Sequence, residues 1–415
     1  MNKNLALFCC LTAGTTAGFG ADDFLDRVED ALAWTACQDQ VRARLSGSME
    51  LEGYTFQHPA PALIHTDRGS LVNPRLSLFL DAQVGPRVYV FAQARADRGF
   101  DPGAGDAQLR LDEYALRFTP RADGLINLQV GKFATVVGNW VARHHAWENP
   151  FITAPLPYEN LTGIFDATAA SSAGTLLRWS HYSPPPATGG EQLDQYRLPV
   201  LWGPSYASGA AIAGVIGRAD YAIELKNTSL SSRPATWDAA QTQWQHPTFS
   251  GRLGYRPDQR WNLGFSASTG SYLLPTAQPT LAPGHTRDDY REVVLGQDFG
   301  FAWHHLQIWG EIYEASFEIP RVGRADTVAG YLEVKYKFTP QFSGAVRVNR
   351  QLYGDIADGA GGHVQWGHDV WRLDVAPNYR FTPHTELKLQ YSLQSGAIGP
   401  RDHSQMLAAQ FVLRF

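Results

Sequence analysis

The sequence predicts an all-β fold: a transmembrane, antiparallel, up-and-down β-barrel of about 18 strands, with 16 as the alternative count. A short N-terminal helix precedes it. Three observations predict this class. Apolar and polar residues alternate with a period of two through segments of about ten residues or more, a length that crosses a bilayer when tilted. The connections between these segments alternate between very short and long, as a meander through a membrane requires. Hydrophobic residues make up 44% of the chain, yet mean hydropathy is -0.26, too polar for a helical membrane protein and ordinary for a wall with one wet face.

In chain order, residues 1–20 read as a signal peptide. Met1-Asn2-Lys3-Asn4 is followed by an apolar run from Leu5 to about Gly20, and Gly18 and Gly20 suit cleavage near Ala21. The run is short for a membrane anchor, which needs about 20 residues. Cys9 and Cys10 fall inside it, so the mature chain keeps Cys37 alone and has no internal disulfide. Residues 21–40 read as a helical segment: Phe24, Leu25, Val28 and Leu32 recur at helical spacing after Asp22 and Asp23, predicting a helix to about Gln38. It lies either beyond the short-turn mouth or tucked into the pore.

Residues 41–415 read as the barrel. Val41, Ala43, Leu45, Gly47, Met49 and Leu51 alternate with Arg42, Arg44, Ser46, Ser48, Glu50 and Glu52; comparable runs follow at 75–84, 87–97, 371–381 and 387–394. Short turns are marked by Pro or Asp near Pro86, Pro120, Asp220, Pro257, Pro340 and Pro383. Long polar connections fall at about 56–72, 99–108, 184–208, 231–246, 273–288 and 354–366. The evident strands, one of them at Leu176–Tyr182, come to an odd number, rare in a single-chain barrel. A further strand at about Gly163–Ser171 restores parity and yields the count of 18.

The last stretch carries a resemblance. From Leu407 to Phe415, Leu407, Ala409, Phe411, Leu413 and Phe415 alternate with Ala408, Gln410, Val412 and Arg414. This resembles the closing strand of Gram-negative outer-membrane barrels, whose terminal Phe is an assembly signal. Val130-Gly131-Lys132-Phe133 is similar to the strand that precedes the constriction loop in several porin families. The resemblance implies an outer-membrane porin of constriction-loop type in a Gram-negative-type bacterium. It also implies passive diffusion through a water-filled pore, with lipid bilayer, lipopolysaccharide and the barrel-assembly machinery as partners. Many such porins are homotrimers; the Ala-rich outer stripe Ala92, Ala94, Ala96 is of the kind a trimer contact needs. No cofactor and no catalytic residue is implied.

The candidate site follows from this frame. Asn139–Thr162 becomes the third outer loop, rich in Trp140, Trp147, Phe151 and Tyr158 and stiffened by Pro150, Pro155 and Pro157. Exposed rings at this density need a packing site, and the lumen supplies one; a lid or trimer contact outside the pore is the other reading. Its polar residues Arg143, His144, His145, Glu148 and Glu159 are the expected pore constriction. With apolar residues facing lipid, Arg42, Arg44, Arg75, Arg87, Arg95, Arg117, Arg178, Arg347, Arg372, Arg380, Asp81, Asp97 and Glu311 line the pore. The basic excess leans towards anions, although cross-strand salt bridges account for many of these charges. His144-His145 with Glu148 lacks a third metal ligand, and Asp101–Asp106 and Asp355 with Asp358 read as ordinary turns, so no metal is expected. The net charge of -5 speaks against nucleic acid. A barrel enzyme is the leading alternative, but His403-Ser404 and His304-His305 assemble no triad from spacing. A structural surface protein would favour larger outer loops.

Overall fold

The computed structural model describes residues 18–64, 66, 68–100, 102, 105–181, 197–234, 243–396 and 402–415. The signal segment 1–17, Asp101 of the first candidate calcium turn, and most of the predicted connection 184–208 therefore lie outside the described residues.

Sixteen antiparallel strands close into a barrel. They are β1 (Val41–Phe56), β2 (Ser70–Val84), β3 (Val88–Asp97), β4 (Gln108–Phe118), β5 (Asn127–Phe133), β6 (Ala207–Ile216), β7 (Ala219–Lys226) and β8 (Thr248–Tyr255). The second half holds β9 (Trp261–Ser271), β10 (Arg291–Trp303), β11 (Leu306–Ile319), β12 (Gly323–Lys337), β13 (Phe342–Tyr353), β14 (Val370–Arg380), β15 (Thr385–Ser395) and β16 (His403–Arg414). Each pairs with its sequence neighbour, and β16 pairs with β1 to close the ring. Every inner strand edge is thereby satisfied, the condition for a sheet in lipid.

The count is 16 rather than 18, because neither strand expected between Gly163 and Tyr182 forms. Residues 163–171 are irregular, held by Leu198 N donating to Ile164 O at 3.0 Å and an isolated bridge between Phe165 and Arg197. Ala173–His181 is a helix, α3 in chain order after α1 (Gly18–Ala31) and α2 (Leu156–Glu159). Ala173, Leu176 and Trp179 sit three residues apart and are all buried in one apolar cluster. A period of three, not two, is what that segment carries.

The outer face alternates as expected: Met49, Leu51, Val130, Ile212, Ile223, Leu253, Ile312 and Val348 are all exposed. Tyr336, Phe338, Tyr379, Phe381, Phe118 and Trp261 ring the short-turn end, as an interfacial girdle does. Trp371 lies at the long-loop end of β14 and packs near His403.

The seam explains the two chain ends. Phe415 and Gly47 exchange both backbone hydrogen bonds, at 2.8 and 3.0 Å. The Phe415 ring covers Gly47, where a Cβ would lie 2.6 Å from it. There β16 stops, leaving the start of β1 with an unpaired edge. Ala33–Ala36 fills it as a short strand paired with Val41–Arg44. The N-terminal helix therefore ends at Ala31 rather than Gln38, and Cys37, Gln38 and Asp39 turn the chain with positive φ. Helix α1 rests at the short-turn rim, with Asp26 2.9 Å from His384 and Glu29 2.9 Å from Arg44.

Candidate pore constriction and lumen

The connection from β5 to β6 spans residues 134–206, much longer than the loop 139–162 read from the sequence. It enters the lumen at Gly138, whose φ of +77° turns the chain against β11; a Cβ there would lie 2.0 Å from the Tyr313 hydroxyl. Wall carboxylates then capture its backbone. Glu224 accepts from Thr135 Oγ1 at 2.6 Å and Val136 N at 3.2 Å. Glu311 accepts from Asn139 N at 2.5 Å, Trp140 N at 2.8 Å and the Tyr158 hydroxyl at 2.6 Å. A buried carboxylate holding three donors is a strong, directional anchor.

Further along, Arg347 donates to Thr153 O, Thr153 Oγ1 and Ala154 O, each at 3.1 Å, while its Nε bonds Asp374 at 3.0 Å. Arg372 bonds Glu159 and Ala154 O. Gln390 Oε1 accepts from Ile152 N at 2.7 Å. At the foot of the loop, Trp147 is wedged between the guanidinium groups of Arg380, 4.3 Å away, and Arg414, 4.1 Å away. Above these polar ties, Val137, Trp140, Tyr158, Phe165, Leu176 and Trp179 form one cluster with Tyr272, Val294, Tyr313, Ala315, Phe317 and Ile319 of the wall and its outer loops. The loop is thus a small folded unit with its own core, seated on one side of the lumen.

The five expected constriction residues divide accordingly. Arg143 is tied to Glu333 at 2.6 Å and the Tyr331 hydroxyl at 3.0 Å, and stacks on Trp309. Glu159 is buried against Arg372. Glu148 is exposed. His144 and His145 line the cavity between the loop and the wall, with ring centroids 3.9 Å apart. His144 Nε2 meets the Tyr206 hydroxyl at 2.7 Å, and His145 sits edge-on to Phe79. Burial pushes the His144 imidazole down to about 3 and His145 well below the ordinary histidine range. Both are neutral at pH 7.

Of the expected pore-lining residues, Arg178 is on α3 inside the loop and not on the wall, because its segment is helical. Arg87 lies in the turn between β2 and β3, just outside the strands. Arg42 and Arg44 lie at the short-turn mouth, where Arg44 meets Glu29, and Asp81 accepts from the Tyr89 hydroxyl. Arg347, Arg372, Arg380, Asp97 and Glu311 are all tied to partners on the wall or loop.

Arg75 and Arg95 do face open lumen. Arg75 pairs with Glu50 at 3.0 Å, Glu52 at 3.1 Å and Asp97 at 3.0 Å, and Arg95 with Asp112 at 3.3 Å. The Arg75 and Arg95 side chains keep 20% and 14% of their surface, whereas these carboxylates keep 4% or less. On the short-turn side, a cavity of ≈ 640 Å³ opens between the loop and β3–β8; Phe91, Glu113, Arg117, Gln129, His144, His145 and Arg252 are among its lining. Sequence reading missed the carboxylate anchors as anchors. It also missed that Ala315 and Phe317 of β11 join the inward-facing Tyr313 in an apolar wall that packs against the loop.

No family model and no curated protein sequence matches the chain. Solved structures do match. Salmonella typhi OmpF in complex with daunomycin aligns at 9% identity over 92% of this chain and 100% of that one, with a TM-score of 0.54. The outer membrane channel DcaP of Acinetobacter baumannii aligns at 8% identity over 92% and 99%, TM-score 0.54. The anion-selective porin from Comamonas acidovorans aligns at 8% over 90% and 100%, TM-score 0.53. The fold is that of the outer-membrane porin-type barrels. At these identities the likeness concerns the fold, and the residues of the lumen must be read on their own terms.

Proposed function

We propose that the protein is an outer-membrane channel through which small polar solutes, anions in preference, diffuse passively. The observation that carries this reading is the lumen itself. A closed barrel holds an inward-folded loop and keeps a cavity of ≈ 640 Å³ between that loop and β3–β8, with Arg75 and Arg95 partly exposed on the wall. Partly exposed Arg side chains beside buried carboxylates favour anions near the wall. The likeness to a porin described as anion-selective points the same way. Lipid contact, assembly through the terminal Phe415 and association of three copies through the Ala92–Ala96 stripe belong to the same proposal, as does export by the N-terminal segment. The enzyme alternative gains nothing from the geometry: His304 and His305 form the tight turn between β10 and β11.

Swelling of proteoliposomes tests diffusion. Rates should fall smoothly with solute size and rise linearly with concentration. Saturation for every solute, or no swelling above protein-free vesicles, would sink passive diffusion. Exchange of Arg75 and Arg95 for Gln should reduce the advantage of gluconate over a neutral sugar of similar size.

A further inference from the structure

Within the channel reading, on which this rests, we propose that Arg117 and the rings beside it form a binding subsite for an aromatic carboxylate in the short-turn vestibule. Tyr89, Arg117, Gln129 and Ala211 lie opposite one another in register across β3, β4, β5 and β6, as one row on the lumen face. Arg117 differs from three neighbouring guanidinium groups of the wall. Arg75, Arg95 and Arg252 each have a carboxylate partner. Arg117 is exposed and, among the described residues, meets none; it donates to Gln129 Oε1 at 3.1 and 2.9 Å. Its charge is open to a solute, and a planar guanidinium fork matches a carboxylate.

The surroundings specify the rest of the ligand. The Arg117 guanidinium lies 5.8 Å from the Tyr89 ring and 6.0 Å from the Phe91 ring. Phe91 packs on the cluster of Ala115, Phe133 and Ala211, so its ring is held rather than free to swing. Further along the same wall, β6 carries only Ala211 and Ala213 on this face, and the cavity measures ≈ 640 Å³, a volume typical of small-molecule pockets. One guanidinium without a carboxylate partner beside two aromatic faces, with small residues along the same wall, suits one carboxylate on one flat ring. A polyanion would find a single free charge, and an aliphatic acid would leave the ring faces unused.

The probe is benzoate, added to the short-turn side of single channels in KCl, with acetate as the control anion. Benzoate should cause brief, concentration-dependent current blockades, and acetate should not. Arg117→Gln and Phe91→Ala should each weaken the blockade about tenfold, roughly the weight of one charge-assisted contact, while Arg117→Lys keeps part of it. Both variants should retain the heat-modifiable mobility of the parent, and blockade is read as a fraction of each variant's own open-channel current. Equal block by acetate, or unchanged benzoate block in Arg117→Gln, overturns the subsite. If no variant conducts, the channel reading fails separately. Saturation-transfer NMR of benzoate with the detergent-solubilised protein then still decides the site: loss of the ring signals in Arg117→Gln supports it, and their persistence overturns it.

Discussion

At the scale of single residues, the account turns on which charges are engaged and which are open. Glu311 gathers Asn139 N, Trp140 N and the Tyr158 hydroxyl, so Glu311→Ala strands three donors inside the lumen. The expected cost is about 3 kcal/mol of loop docking, since hydrogen bonds to charged groups are each worth more than neutral ones. Single-channel records should show raised noise and a larger mean conductance; a quiet channel of parental conductance would contradict the anchor. His144 adds a pH term. Its folded value of about 3 is below the ordinary 6.5, so undocked loop binds a proton that docked loop refuses. The stabilisation is full above about pH 6.5 and is lost as pH falls towards 3. Channel noise should therefore rise on acidification from pH 7 to 4, and His144→Gln should flatten that part of the profile. Little of this was legible beforehand. The sequence shows that Arg143 and Glu159 are charged; only the fold shows that each is consumed by a wall partner, while His144 and His145 line the cavity between the loop and the wall.

At the scale of elements, most strands were legible because their two faces meet different solvents. Val41–Leu51 and Leu407–Phe415 alternate cleanly, and both form as read. The loop from β5 to β6 was not legible, for a physical reason. It sits inside a wall and buries its own apolar core, so it follows the rules of a soluble domain rather than of a two-faced strand. Its apolar residues at 163–181 then imitate strands: parity called for one at Gly163–Ser171, where the chain is irregular, and the one read from Leu176 onward falls on α3. The helix boundary at Ala31 failed similarly, because Ala33–Ala36 is recruited to the edge that β16 leaves open. The seam yields a prediction of its own. Gly47→Val would drive a side chain into the Phe415 ring and Ser77 O, which lie 2.6 and 2.9 Å from a built Cβ. It should lower the yield of heat-modifiable barrel in vesicles several-fold, on the order expected for overpacking by 1–3 kcal/mol. Gly53, where a Cβ meets nothing within 4 Å, is the control: Gly53→Ala should assemble as the parent does.

At the scale of the whole molecule, sixteen strands enclose far more space than the passage uses. The loop's apolar core packs against β10–β13, and the ≈ 640 Å³ cavity is lined by the loop and β3–β8. Buried pairs such as Arg347–Asp374 and Arg372–Asp374 lie against the loop, where removing one partner would strand a charge. The partly exposed Arg75 and Arg95 lie on β2 and β3. In the proposed channel, selectivity would rest on a minority of the charges that the strand pattern displays, and counting every inward Arg overstates the field. Conduction with an anion bias is the central claim. The most direct test is the reversal potential of purified, heat-modifiable protein in a planar bilayer under a KCl gradient. Stable conductance steps with a reversal potential displaced towards that of chloride, and moved back by Arg75→Gln with Arg95→Gln, are the predicted result. Folded protein that gives no steps, or steps displaced towards potassium, would contradict it.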